Sequence, residues 1–178
     1  VLEPLRIGTL GAARITPPAL VRPARELAGA EVVAVAARDP ERARAFAAKH
    51  GIPRVHASYD ALLADPEIEA IYNPLPNGLH CEWTLRALDA GKHVLCEKPL
   101  ASNEQEATRM ADAADRTGLV VAEAFHWRYH PLAARMREIV DSGELGAIRH
   151  VEAGMCFPLP FFNDIRYQLA LAGGTLMD

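Results

Sequence analysis

Cysteine is scarce and poorly spaced for bonding. Only Cys81, Cys96 and Cys156 occur among the 178 residues, far apart and with no histidine at ligand spacing. A disulfide framework and a cysteine-based zinc site are therefore excluded, and all three read as reduced core thiols, with no metal site elsewhere. Long apolar runs are lacking too. None approaches the ~20 residues of a membrane span, and the opening residues carry no secretory pattern. Basic residues form no stripe, and the formal net charge is −4, so neither nucleic acid nor a membrane surface is an expected partner. Low-complexity tracts and internal repeats are missing as well. What is present, 50% hydrophobic and 24% charged residues, suits a soluble cytoplasmic protein large enough for one domain and the start of another.

Two periods alternate along the chain. "PLRIGTL" and "EVVAVAA" are short apolar runs rich in β-branched residues, too short for helices, and "EAIYNP", "KHVLC" and "LVVA" repeat the pattern. Between them lie amphipathic stretches. "DPERARAFAAKHG" has Asp39 as N-cap, Pro40 at the first helical position and Gly51 as the stop. In "SNEQEATRMADAADRTG" Ser102 and Gln105 predict a capping box, with Ala107, Met110, Ala111 and Ala114 facing inward. "HPLAARMREIVDSGELG" carries Leu132, Met136, Ile139 and Val140 on one stripe. Strands without polar alternation, each followed by such a helix, predict an α/β doubly wound parallel sheet covered on both faces. After Gly146 the pattern changes: "AIRHVEAGMCF" predicts a longer, partly alternating strand. The expected division is 1–122 for the first domain and 123–178 for the start of a second.

The turn after the first strand, "GTLGAARIT", compares with the phosphate-binding pattern G-x-G-x-x-[GA]. Gly11 matches, Ala13 stands at the second glycine and Thr16 ends the pattern, with Gly8 upstream. In an open α/β sheet this turn meets a pyrophosphate at the following helix N-terminus. Ala12, Arg14 and Ile15 complete the candidate cradle, with Arg14 adding a cation. At the end of the second strand, Ala36-Ala37-Arg38 stands where an NAD-specific fold would place an acid. Arg38 offers a guanidinium suited to a 2′-phosphate, so NADP is expected in preference to NAD.

A further oddity is "VLCEKPLAS". An apolar strand ends at Glu97, Lys98 and Pro99, although a lysine ammonium resists burial. Alcohol oxidation requires a proton acceptor beside the hydride donor, and a desolvated lysine near a positive charge can serve as one.

Taken together, "GAARI", "YNPLPNGLH", "CEKPLA", "AEAFHWRYHP" and "RYQLALAGGTLMD" resemble the glucose–fructose oxidoreductase / inositol dehydrogenase / rhizopine-catabolism family along essentially the whole chain. The wording looks most like the branch of NADP-dependent xylose dehydrogenases and dihydrodiol dehydrogenases. The resemblance implies a Rossmann domain followed by an α+β domain with a mostly antiparallel sheet that binds substrate and often forms a dimer contact. It implies a hydride transfer between NADP or NAD and a sugar, polyol or cyclic diol. Lys98 matches the family lysine between nicotinamide and substrate hydroxyl, Glu97 the acid beside the nicotinamide ribose, and Asp178 a catalytic-site aspartate a few residues before the family's acid–base partner. Pro74, Leu75, Asn77 and His80 match the loop lining the dinucleotide, and Trp127 and Arg128 match residues near the nicotinamide. Arg166, Phe161 and Phe162 are candidates for the substrate wall.

The family's usual tyrosine or histidine partner falls just beyond Asp178, so the sequence reads as the front half of a longer enzyme. Other readings stay open: a non-catalytic dinucleotide sensor, a two-step oxidoreductase that retains its nucleotide, and a truncated inactive member.

Overall fold

Val32 to Ala37 is buried without a break, as a strand covered on both faces must be. The structure is a computed structural model, and it describes residues 3–154, 156, 158 and 164–174. Six parallel strands form one sheet: β1 (Leu5–Leu10), β2 (Ala30–Ala36), β3 (Arg54–His56), β4 (Ala70–Asn73), β5 (His93–Cys96) and β6 (Val121–Glu123). Their order is β3-β2-β1-β4-β5-β6, the Rossmann order, with its reversal between β1 and β4.

Helices cover both faces. A π-helical turn, Pro17–Val21, leads into α1 (Arg22–Glu26); α2 (Pro40–His50), α3 (Tyr59–Leu63), α4 (His80–Asp89), α5 (Glu104–Thr117) and α6 (Pro131–Asp141) follow. One core contains Leu10, Leu62, Ile71, Leu88 and Val94. The other contains Ile7, Val21, Val35, Ile52 and Tyr72.

Helix ends follow local chemistry. Asp39 accepts from the backbone N–H groups of Glu41 and Arg42, Pro40 opens α2, and Gly51 closes it at φ 57°. The cap of α5 sits one residue later than expected. Asn103 accepts from Glu106 N, and the Glu106 carboxylate accepts from Ser102 N at 2.9 Å. A carboxylate satisfies amides at a helix N-terminus better than the neutral Gln105 amide can. Met110 and Ala113 are the buried residues of α5, while Ala111, expected inside, is exposed.

At the strands' N-terminal end, Lys92 is buried and its Nζ donates to Asp65 O at 2.8 Å and Ile68 O at 2.6 Å. Burial lowers its pKa.

Beyond β6 the expectations divide. The apolar stripe of α6 exists, but Leu132, Met136 and Val140 stay exposed. The strand expected over 147–157 is not formed among the described residues. A strand is defined by its pairing, and no described segment outside the parallel sheet offers a ladder. Cys156 is exposed rather than a core thiol, whereas Cys81 and Cys96 are buried and free. Among the described residues no helix is long and apolar enough to cross a membrane, and no group of three potential metal ligands gathers.

Candidate active site

The reversal of strand order opens a crevice at the strands' C-terminal ends, where ligands enter this architecture. Its first edge is the turn after β1. Gly11 has φ 81°, a conformation L side chains rarely adopt, and its N–H donates to Ala36 O at 2.6 Å. A β-carbon there would stand 3.2 Å from Leu75 Cδ2, so the glycine lets this turn run beneath the loop after β4. Ala12 is buried against Ala37 and Ala43, and its carbonyl accepts from Arg42 Nη2 at 2.9 Å. Ala13 is half-buried, Arg14 is exposed, and Ile15 edges the crevice.

Gly8 lies within β1, against the core. A β-carbon on it would meet Leu62 Cδ2 at 2.9 Å and Ile68 Cδ1 at 3.1 Å, so it serves close helix–sheet packing. Arg38 is exposed at the end of β2. Burial pushes the Tyr59 phenol upward, and the charges of Arg38 and Arg42 with an Arg38 backbone hydrogen bond oppose this without cancelling it. Arg38, Arg42 and Tyr59 therefore meet beside the first turn.

The second edge is the loop after β4. Asn73 is fully buried. Its Nδ2 donates to His80 O at 3.2 Å and Thr84 Oγ1 at 3.3 Å, while Oδ1 accepts from Leu75 N at 3.4 Å. Pro74, Leu75 and Asn77 are thereby presented to the crevice. Asn77 Nδ2 donates to Ala172 O at 3.2 Å, docking the segment 164–174 on this loop. His80, expected to touch a dinucleotide, is fully buried with its ring turned inward.

The floor comes from the end of β5. Glu97 is buried; its Oε1 accepts from Tyr72 Oη at 2.6 Å and its Oε2 from Lys98 N at 3.3 Å. His126 Nε2 lies 3.9 Å from the same Oε1. Burial, then the hydrogen bond and charge of Glu97, push the Tyr72 phenol far up, so it stays a donor. Lys98 is half-buried, and the Lys98–Pro99 peptide bond is cis. Leu100 N donates to Glu123 Oε1 at 2.8 Å, which fastens the turn to β6.

These parts enclose a cleft of about 640 Å³. Ile15, Pro74, Leu75, Asn77, Glu97 and Lys98 reach it from three loops, joined by Trp127 and Arg166. The backbone N–H and Nη1 of Arg166 both meet Asp164 Oδ1, at 3.0 Å and 3.2 Å. Arg128 is exposed and outside the lining. Phe161, Phe162 and Asp178 lie outside the described residues. Sequence reasoning missed Tyr72, Asn73 and Glu123, which hold the site from behind, and His126 and Phe125, which line it.

Residues 5–125 match the family model described as "Oxidoreductase family, NAD-binding Rossmann fold". The chain belongs to this oxidoreductase family. Within it, the chain is 45% identical over 175 residues to D-xylose 1-dehydrogenase (NADP(+)) 2 of Haloferax volcanii, covering 98% of this chain and 53% of that protein. It is 40% identical over 148 residues to trans-1,2-dihydrobenzene-1,2-diol dehydrogenase of Bos taurus, covering 83% of this chain and 44% of that one. Among solved members of the family, a mutant 3-ketoreductase from Actinomadura kijaniata in complex with TDP-benzene and NADP superposes with a TM-score of 0.91. The sequence identity is 38%, over 98% of this chain and 54% of that one. The chain thus spans about half the length of the curated relatives it matches.

Proposed function

We propose that this chain is the dinucleotide-binding part of an NADP-linked dehydrogenase or reductase. It moves a hydride between nicotinamide and a sugar, a polyol or a cyclic diol. One observation carries the reading: a half-buried lysine, Lys98, opens into a cleft at the switch point of a Rossmann sheet, next to a carboxylate already held by Tyr72. The NADP dependence of the Haloferax volcanii relative, and the NADP in the Actinomadura kijaniata structure, support the same cofactor.

The residues fit such a cofactor. Gly11 keeps the first turn free of a side chain beneath Leu75 of the other cleft loop, and Ala12, Ala13, Arg14 and Ile15 continue that cradle. Pro74, Leu75 and Asn77 line its course, and Trp127 offers an aromatic face in the cleft; Arg128 belongs to the same end in this reading. Arg38 pairs with a 2′-phosphate in this reading. Bound NADP supplies or accepts the hydride. The chain's part is to hold the substrate oxygen near Lys98. In oxidation Lys98 Nζ takes the hydroxyl proton as the hydride leaves carbon; in reduction Lys98 Nζ gives that proton to the carbonyl oxygen. Glu97, with both oxygens engaged, orients the turn that carries Lys98 and accepts from a ribose hydroxyl. Asp178 as a second catalytic group, Phe162 and Arg166 as a substrate wall, a domain boundary near Glu123 and self-association through the second domain belong to this proposal.

The test is cofactor titration and turnover of the intact protein. NADP(H) is expected to bind more tightly than NAD(H), and Arg38→Ala should weaken NADP(H) specifically. Absorbance at the reduced-nicotinamide band should change with aldoses, polyols or diols; no turnover across that panel would favour a dinucleotide sensor instead.

A further inference from the structure

His80 is fully buried at the start of α4, and each of its ring nitrogens stands against a backbone carbonyl. Nδ1 lies 2.7 Å from Pro99 O, and Nε2 lies 2.7 Å from Leu75 O. The two carbonyls belong to different loops. Leu75 lies in the loop after β4, which lines the cleft, and Pro99 directly follows Lys98. A carbonyl oxygen only accepts, and a neutral imidazole has one N–H. A neutral ring would satisfy one contact and turn its lone pair on the other oxygen. Two contacts of this length therefore call for two donors, which only the imidazolium provides.

We propose that His80 is a doubly donating brace, and a positioning residue for Lys98. One ring ties the cleft loop to the turn that carries the lysine, so the two move as a unit. The surrounding bonds fit that task. Asn73 holds the His80 carbonyl and the Leu75 amide, which fixes the ring's own backbone and one of its targets. On the other side, Glu123 holds Leu100 N, one residue beyond Pro99. Pro99 itself has no N–H to offer, so its carbonyl is the only backbone hydrogen-bonding group by which that residue can be fixed. Charge-assisted hydrogen bonds are the strong kind, and both acceptors are backbone carbonyls held in place by other bonds of the site.

The effect on Lys98 rests on the proposed function; the state of the ring does not. Nitrogen NMR of the intact protein labelled at histidine should show both His80 ring nitrogens carrying protons at neutral pH, in slow exchange with water. A single protonated nitrogen would overturn the double donation. In turnover, His80→Gln has its donors on a single nitrogen and an acceptor oxygen at the other end of the amide, so it can meet one carbonyl and loses the second tie. With the lysine displaced, kcat should fall roughly tenfold or more, while the KM for the carbonyl or alcohol substrate changes by less than about threefold. A His80→Gln protein with native kcat would refute the positioning role, and so would a loss of activity that merely follows the unfolded fraction. If the unaltered protein turned over nothing on the panel, the proposed function would fail while the NMR measurement still decided the brace.

Discussion

The buried pair Tyr72–Glu97 offers a sharp test of how the site is built. Tyr72→Phe removes one oxygen and preserves the ring that packs in the second core, so packing changes little. What is lost is a 2.6 Å hydrogen bond to a buried carboxylate. Bonds to charged groups contribute about 1.5–3 kcal/mol, and an oxygen left unsatisfied adds its desolvation cost. His126, at 3.9 Å from Oε1 and largely exposed, replaces little of this. The expected loss is about 2 kcal/mol, or a fall in Tm of roughly 4–8 °C for a chain of this size. Urea denaturation should show a lower midpoint with an unchanged slope. In a double-mutant cycle, Tyr72→Phe and Glu97→Gln should couple by about 1–2 kcal/mol. A loss below about 0.5 kcal/mol, or strictly additive effects, would show that the bond does not hold Glu97 in place.

Two further expectations concern the scaffold. Burial pushes the Cys96 thiol up to about 12 and raises Cys81 as well, whereas Cys156 is exposed; since the thiolate is the reactive form, an alkylating reagent at mildly alkaline pH should label Cys156 in the folded chain and the other two only after denaturation. Fast native-state labelling of Cys96 would contradict the packing around β5. Burial disfavours ionisation of Asp65, but the Glu67 amide, Arg54 and His56 outweigh it and hold the carboxyl below its ordinary value. A depressed carboxyl stabilises the fold above its unfolded value, near ~3.9, and the contribution fades as pH falls through the folded value. Asp65→Asn should therefore flatten the acid limb of stability against pH, and an unaltered limb would remove Asp65 from that transition.

Much of this was legible in the residues because local and global signals agree. The continuous burial of β2 and the cap Asp39-Pro40 with Gly51 were each written in short stretches. β3 and α3 were not, since Arg54–His56 is three residues long and its place at the sheet edge depends on pairing with β2 rather than on its own pattern. The cap of α5 moved by one residue because a charged glutamate outcompeted a neutral glutamine, which a motif match does not weigh. The cleft residues in "LPNG" and "CEK" lie where sequence order and spacing placed them. The residues behind them were hidden: Tyr72 and Asn73 look like ordinary strand, and His80 looks like a ligand contact. Only the fold shows that its ring faces two carbonyls.

In the proposed reaction Lys98 moves the proton that accompanies hydride transfer. The direct measurement is single-turnover hydride transfer by Lys98→Met in the intact protein, beside its affinity for NADPH. The chemical step should slow about a hundredfold or more, with NADPH affinity within about threefold of native. Hydride transfer at the native rate would contradict that role.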